Sequence, residues 1–180
     1  MHCKKEQQGP ANLVYLCYIT NKKVFTQKEK AMKQIEQTAA AENFSAIHLG
    51  PLSELNEYVL ELSPEIKIPG KVFGGAALGA TGSDFSFQMF LPGTETGFLH
   101  SHHTHEELYF FLGGKGEFQV DGQTFPISEG SVIRVAPAGR RSVRNNGTEP
   151  LVMLCVQYKA GTFSSEDATD GNILNEAVKW

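Results

Sequence analysis

The chain has 180 residues, enough for one domain with its own hydrophobic core. Its apolar and charged fractions, 41% and 20%, are ordinary for a globular protein. A net charge of -4 excludes a general nucleic-acid binder, which would carry a basic face, but leaves room for a small anionic ligand held by a few arginines. The three cysteines, Cys3, Cys17 and Cys155, are too few and too scattered for a disulfide framework, so a cytoplasmic protein is expected. Cys155 sits in an apolar run and reads as a small buried hydrophobe.

Residues 1–31 differ from the rest. Lysines flank one apolar run, Leu13 to Ile19, which is far too short to span a bilayer. No small-residue cleavage site follows it closely. Residues 1–43 therefore read as an N-terminal extension, with Met32 as the natural start of translation. From residue 44 a β pattern begins. Phe44 to Leu49 is a short apolar-rich run. Tyr58 to Leu62 is another, either a strand or the end of a short helix from Leu52, and periodicity leaves both open. Gly70 to Gly82 is rich in glycine and alanine and reads as a loop, or as a strand passing close to other backbone. No phosphate-loop pattern is present.

Short strands then follow at close intervals. Phe85, Phe87 and Met89 alternate with Ser86 and Gln88, and Pro92-Gly93 ends that strand. Leu108 to Leu112 precedes a Gly113-Gly114 turn. Gly116 to Val120 leads into Asp121-Gly122, a strong two-residue hairpin signal. Phe125 to Ile127, Ser131 to Val135 and Arg140 to Arg144 are further strands. Leu151 to Val156 is continuously apolar, as a strand buried on both faces would be. No long helical pattern interrupts the series, so a closed or nearly closed antiparallel barrel is expected. Residues 161–180 form a polar C-terminal tail.

Four of the six histidines lie between His100 and His105. Imidazole and carboxylate are the usual ligands of a borderline divalent metal. His100 and His102 are two apart, so on an extended strand both face one side. Four residues separate His102 from Glu107, and six separate Glu107 from Gly114. Downstream lie Gly130, Pro137-Ala138-Gly139, Ser142 and Asn146. This arrangement resembles the two sequence motifs of the cupin superfamily. The first motif is complete from His100 to Gly114, while its opening glycine, Gly93, is one residue too far back. A rival register, Gly97 with His103 and His105, fits the opening spacing but has no Glu at the required distance. In the second motif the gap from Gly130 to Pro137 is one residue longer than usual, and Ser142 stands where the fourth ligand, a His, is usual.

The resemblance covers about residues 80–158. It implies an all-β, single-domain fold: a cupin-type jelly-roll β-barrel, or double-stranded β-helix, over 44–160 with its core at 80–158. It implies a divalent metal ion (Fe, Mn, Zn or Ni) at His100, His102 and Glu107 in the barrel mouth. Ser142 is expected to line the place of the fourth ligand. Tyr109 and Phe111 share the parity of Glu107 and are candidates for the cavity wall, with core packing as the competing reading. Arg144 shares the parity of Ser142 and is a candidate to meet an anionic ligand. Glu106 reads as a solvated strand charge, and Arg134, Arg140 and Arg141 as strand exteriors. Two imidazoles and a carboxylate leave coordination positions open, as in non-haem iron oxygenases. Such an ion polarises a carbonyl or enolate oxygen, or activates water. Relatives include dioxygenases, isomerases and decarboxylases, so the resemblance implies a list of chemistries. The expected partner is a small molecule, with no nucleic acid and no membrane, and the expected assembly is a homodimer. The competing functional readings are a metal-free binding module and a structural barrel that dimerises through an edge sheet.

Overall fold

The alternating segments pair as antiparallel strands. The structure, a computed structural model, describes residues 32–180; the readings of residues 1–31 lie outside the described residues. In chain order, β1 (Glu36–Ala41) and β2 (Phe44–His48) form a two-stranded ribbon. A 3-10 turn (Leu52–Glu57) leads into β3 (Val59–Glu61), which pairs with β4 (Lys67–Pro69). Both options left open for the 52–62 stretch are therefore present, one after the other.

Next come β5 (Lys71–Phe73), a single helical turn α1 (Gly75–Leu78), and β6 (Ser83–Phe90). The series continues with β7 (His105–Gly113), β8 (Lys115–Val120), β9 (Gln123–Ser128), β10 (Val132–Val135), β11 (Arg141–Arg144) and β12 (Leu151–Lys159). All residues from Gly161 onward are exposed.

Two sheets make the jelly roll. One has five strands in the order β10-β7-β12-β6-β5, and the other three in the order β11-β8-β9. Every pair is antiparallel. The core between them holds Phe90, Tyr109, Phe111, Phe118, Ile127, Leu151 and Met153, all nearly inaccessible. Each such side chain contributes about 1.5–3 kcal/mol by leaving water. β12 lies at the centre of the large sheet. Leu151, Met153 and Cys155 face the barrel core, while Val152 packs on a second cluster of Leu55, Tyr58, Val72 and Met89. That is why Leu151 to Val156 has no polar face. The segment before β5 thus covers the back of the large sheet, and the barrel's strands begin at Lys71, ahead of the residue 80 marked by the alternation.

Two turns are fixed by backbone sterics. Asp121 and Gly122 have φ of 49° and 84°, the positive values that a two-residue hairpin with the right twist requires. Gly114 has φ 83°, and a Cβ there would run into the Pro150 carbonyl and stand 2.8 Å from Leu151 Cα. Gly114→Ala is expected to cost about 1–3 kcal/mol from the backbone conformation alone, and more from the clash. Gly122→Ala meets open space and should cost only the backbone part. Thermal unfolding of the two variants checks this. Equal losses at both positions would show that the Pro150 approach contributes nothing.

Candidate metal centre

The linker between β6 and β7 carries His100, His102 and His103, and it is held by backbone bonds to β11 and to the turn before it. Thr96 N donates to Val143 O at 2.9 Å, Arg141 N to His100 O at 3.0 Å, and His102 N to Pro137 O at 2.8 Å. This places His100 and His102 on one side, two residues apart, as extended backbone demands. Glu107 comes from β7, the neighbouring strand, and points inward with Tyr109 and Phe111. One ligand atom from each of His100, His102 and Glu107 lies within 4.8 Å of the others. His103 and His105, the rival register, are exposed and outside this group.

The geometry inside the group is informative. His102 Nε2 stands 3.1 Å from Glu107 Oε1, and His100 Nε2 4.0 Å from Glu107 Oε2. The first pair is close but not aligned as a hydrogen bond. His102 Nε2 and His100 Nδ1 are buried with no hydrogen-bond partner among the described residues. A buried polar atom left unpaired costs about 1–3 kcal/mol. An unpaired His102 nitrogen facing a carboxylate oxygen, with the His100 imidazole beside it, fits a cation-binding set.

The feature missed in the sequence is Arg141. Its side chain is fully buried. Nε donates to Glu107 Oε2 at 2.9 Å and Nη1 to Gly139 O at 2.9 Å, while Nη2 also bonds Glu107 Oε2. The Tyr109 hydroxyl donates to the same oxygen, and Arg141 Nε lies 3.3 Å from that hydroxyl. Oε2 is thus saturated, and Oε1 is left facing His102.

Strand alternation explains the displacement of the expected residues. Arg141 and Val143 are buried on the inner face of β11, so Ser142 and Arg144 project to the other side. Ser142 does not join the histidines: it lines a separate hollow of about 420 Å³ with Phe98, Glu117, Gln119 and Thr124. Arg144 likewise turns outward, with Nε 2.6 Å from Glu117 Oε2. The signal for Arg141 was the neighbouring asparagine. Asn145 is 1% exposed, and its amide donates to Phe90 O and Glu149 O, each at 2.8 Å. Counting the motif's four-residue step back from Asn145, instead of Asn146, arrives at Arg141.

Of the two cavity-wall candidates, Tyr109 reaches the site, whereas Phe111 packs in the core against Phe118 at 6.2 Å between ring centres. Glu106 is not a solvated charge. It is 8% exposed, ion-paired with Arg134, and accepts a 2.5 Å bond from the Tyr158 hydroxyl.

Electrostatics prepare the group for a cation. Burial works to raise the Glu107 carboxyl, but hydrogen bonds from Tyr109 and Arg141, and the Arg141 charge, prevail and hold it at about 2. Burial, aided by the Arg141 charge, lowers His100 to about 4, so its imidazole is neutral at neutral pH. Metal ligands need these protonation states. Burial pushes the Cys155 thiol up to about 12, helped by Glu107, so it stays protonated. The Tyr109 phenol is also raised, first by burial.

A pH dependence follows for the metal-free protein. Both groups have folded values below their unfolded ones, so the unfolded chain binds more protons, and stability falls with acidification. The His100 contribution is lost between about pH 6.5 and 4, and that of Glu107 from about 4.5 down to 2. Melting temperature should decline through both windows, and His100→Gln should flatten the upper one. A profile unchanged by His100→Gln would contradict this assignment.

Comparison with known proteins places the fold in a family. The cupin-domain family model matches residues 86–157. A cupin protein of Bacteroides fragilis is 30% identical, with a TM-score of 0.55 over 64% of this chain and 94% of that one. An uncharacterized protein of Methanocaldococcus jannaschii is 36% identical over 69 residues, 38% of this chain and 54% of that one. An oxalate-binding protein of Thermotoga maritima is 35% identical over 65 residues, 36% of this chain and 53% of that one. The chain spans about half the length of these two curated relatives. Among the described residues no helix is long and apolar enough to cross a membrane. A cupin that this chain covers almost from end to end, on the same antiparallel barrel, settles the kinship: the chain belongs to the cupin superfamily.

Proposed function

We propose that this cupin holds a divalent metal ion through His100, His102 and Glu107 and binds or transforms a small molecule beside it. The observation that supports this reading is the convergence of three ligand atoms, with a buried nitrogen on each histidine that has no hydrogen-bond partner among the described residues. The ion, when bound, would supply Lewis-acid polarisation of a substrate oxygen or an activated water. The chain's own residues orient the set. Arg141 and Tyr109 grip Glu107 Oε2 and leave Oε1 turned to His102. Arg141 also brings a positive charge to the place where a fourth ligand is usual, which keeps the ligand count at three.

Metal analysis of protein purified without a histidine tag tests the reading. About one iron, manganese, zinc or nickel ion per chain is expected. A second reading is favoured by the Arg141–Glu107 pair, which already compensates the carboxylate: a metal-free small-molecule-binding module. Protein that carries no metal, and takes up none when offered these four ions, would leave that module as the function.

A further inference from the structure

The inner face of the large sheet carries polar groups that the metal ligands do not use. β5 lies at its edge, where Lys71 pairs in register with Gln88 of β6. Gln88 and Ser86 are 4% and 2% exposed and share one face of β6. Ser86 lies opposite Cys155 of β12, and Cys155 opposite Tyr109 of β7, both members of the barrel core. Lys71 therefore stands on the inner side of the barrel, the side of Tyr109 and Glu107.

Lys71 is half-buried and under-used. Its Nζ donates to Gln88 Oε1 at 3.3 Å and lies 5.3 Å from the centre of the Phe73 ring. Among the described residues no carboxylate stands within ion-pair distance of it. An ammonium has three N–H donors, so two remain after Gln88. Across the sheet Lys71 aligns with Gln88, Met153 and Phe111, the face that two residues further along β7 carries Tyr109 and then Glu107. Glu107 is matched by Arg141, while Lys71 has only the neutral Gln88 amide as a hydrogen-bond partner among the described residues. Burial works against the Lys71 ammonium and lowers its pKa, and an anion on its free donors would restore the charged form.

We propose that Lys71, held by Gln88, is an anion-binding arm of the barrel chamber and takes a carboxylate of a small organic acid whose other end reaches the His100–His102–Glu107 group. The placement of the far end rests on the metal reading above; the contact of Lys71 with the carboxylate does not.

Isothermal titration of the full chain with malonate tests it, on metal-stripped and on manganese-loaded protein, with malonamide as the uncharged control. Metal-stripped wild type should bind malonate and not malonamide. Lys71→Met should lose about tenfold or more in affinity, the scale of one charge-assisted hydrogen bond. Lys71→Arg should stay within about threefold of wild type. Equal binding of malonate and malonamide, no binding of malonate, or wild-type affinity in Lys71→Met overturns the proposal. If Lys71→Met does not fold, the malonate–malonamide comparison on wild type decides. Failure of the metal reading would appear separately, as protein that takes up no manganese yet binds malonate in a Lys71-dependent way.

Discussion

Replacing Arg141 with methionine is expected to destabilise the protein by about 3–5 kcal/mol. Removing one partner of a buried ion pair leaves the other charge uncompensated, and that cost is of this size. Both side chains here are almost inaccessible, with 1% exposure for Arg141 and 7% for Glu107. In the variant only Tyr109 still donates to Glu107 Oε2, and burial then favours the protonated carboxyl. The double variant Arg141→Met, Glu107→Leu removes both charges together and should recover most of the loss, because a well-packed apolar pair is often as stable as the ion pair it replaces. Urea denaturation of the single and double variants measures this. A loss below about 1 kcal/mol in Arg141→Met would mean that the pair is solvated and that Arg141 does not organise the site.

The second large effect is on metal binding. His102→Ala should abolish stoichiometric uptake of a divalent ion and leave the fold intact. Its Nε2 has no hydrogen bond to lose, and its ring lies at the mouth rather than in the core cluster. His103→Ala should change neither property, since His103 is exposed in the bend that leads into β7 and lies outside the ligand group. Ser142→His should leave affinity unchanged, because that side chain lines the outer hollow. Arg141→His puts an imidazole on the inward-facing position and should tighten binding. The four variants together separate the two registers. Metal lost in His103→Ala and kept in His102→Ala would reverse the assignment, and a gain from Ser142→His would place that residue inside.

The parts of this fold that were legible in the sequence are those set by local geometry. The Asp121-Gly122 turn needs positive φ, which few residues accept, and the hairpin follows from it. His100, His102 and Glu107 were readable because a two-residue step on extended backbone fixes a common side. Leu151 to Val156 was readable because both of its faces are covered. Arg141 was not readable. Arginine is seldom fully buried, and Asn145-Asn146 offers two registers one residue apart, which on a strand means opposite faces. Lys71 was hidden for another reason. A three-residue edge strand inside a glycine- and alanine-rich run has too little alternation to show a period, and only its pairing with Gln88, 17 residues away, brings it to the barrel interior. Glu106 and Glu107 are adjacent and chemically alike, and only their opposite faces give one to Arg134 and the other to Arg141.

The most direct test is a crystal structure of zinc-loaded protein, with anomalous scattering recorded at the zinc edge. One strong peak is expected among His100, His102 and Glu107, bonded to an imidazole nitrogen of each histidine and to Glu107 Oε1 at about 2.0–2.2 Å. The Arg141 guanidinium should remain on Oε2. A peak held by the exposed His103 or His105, or no peak at the three residues under saturating zinc, would contradict the account.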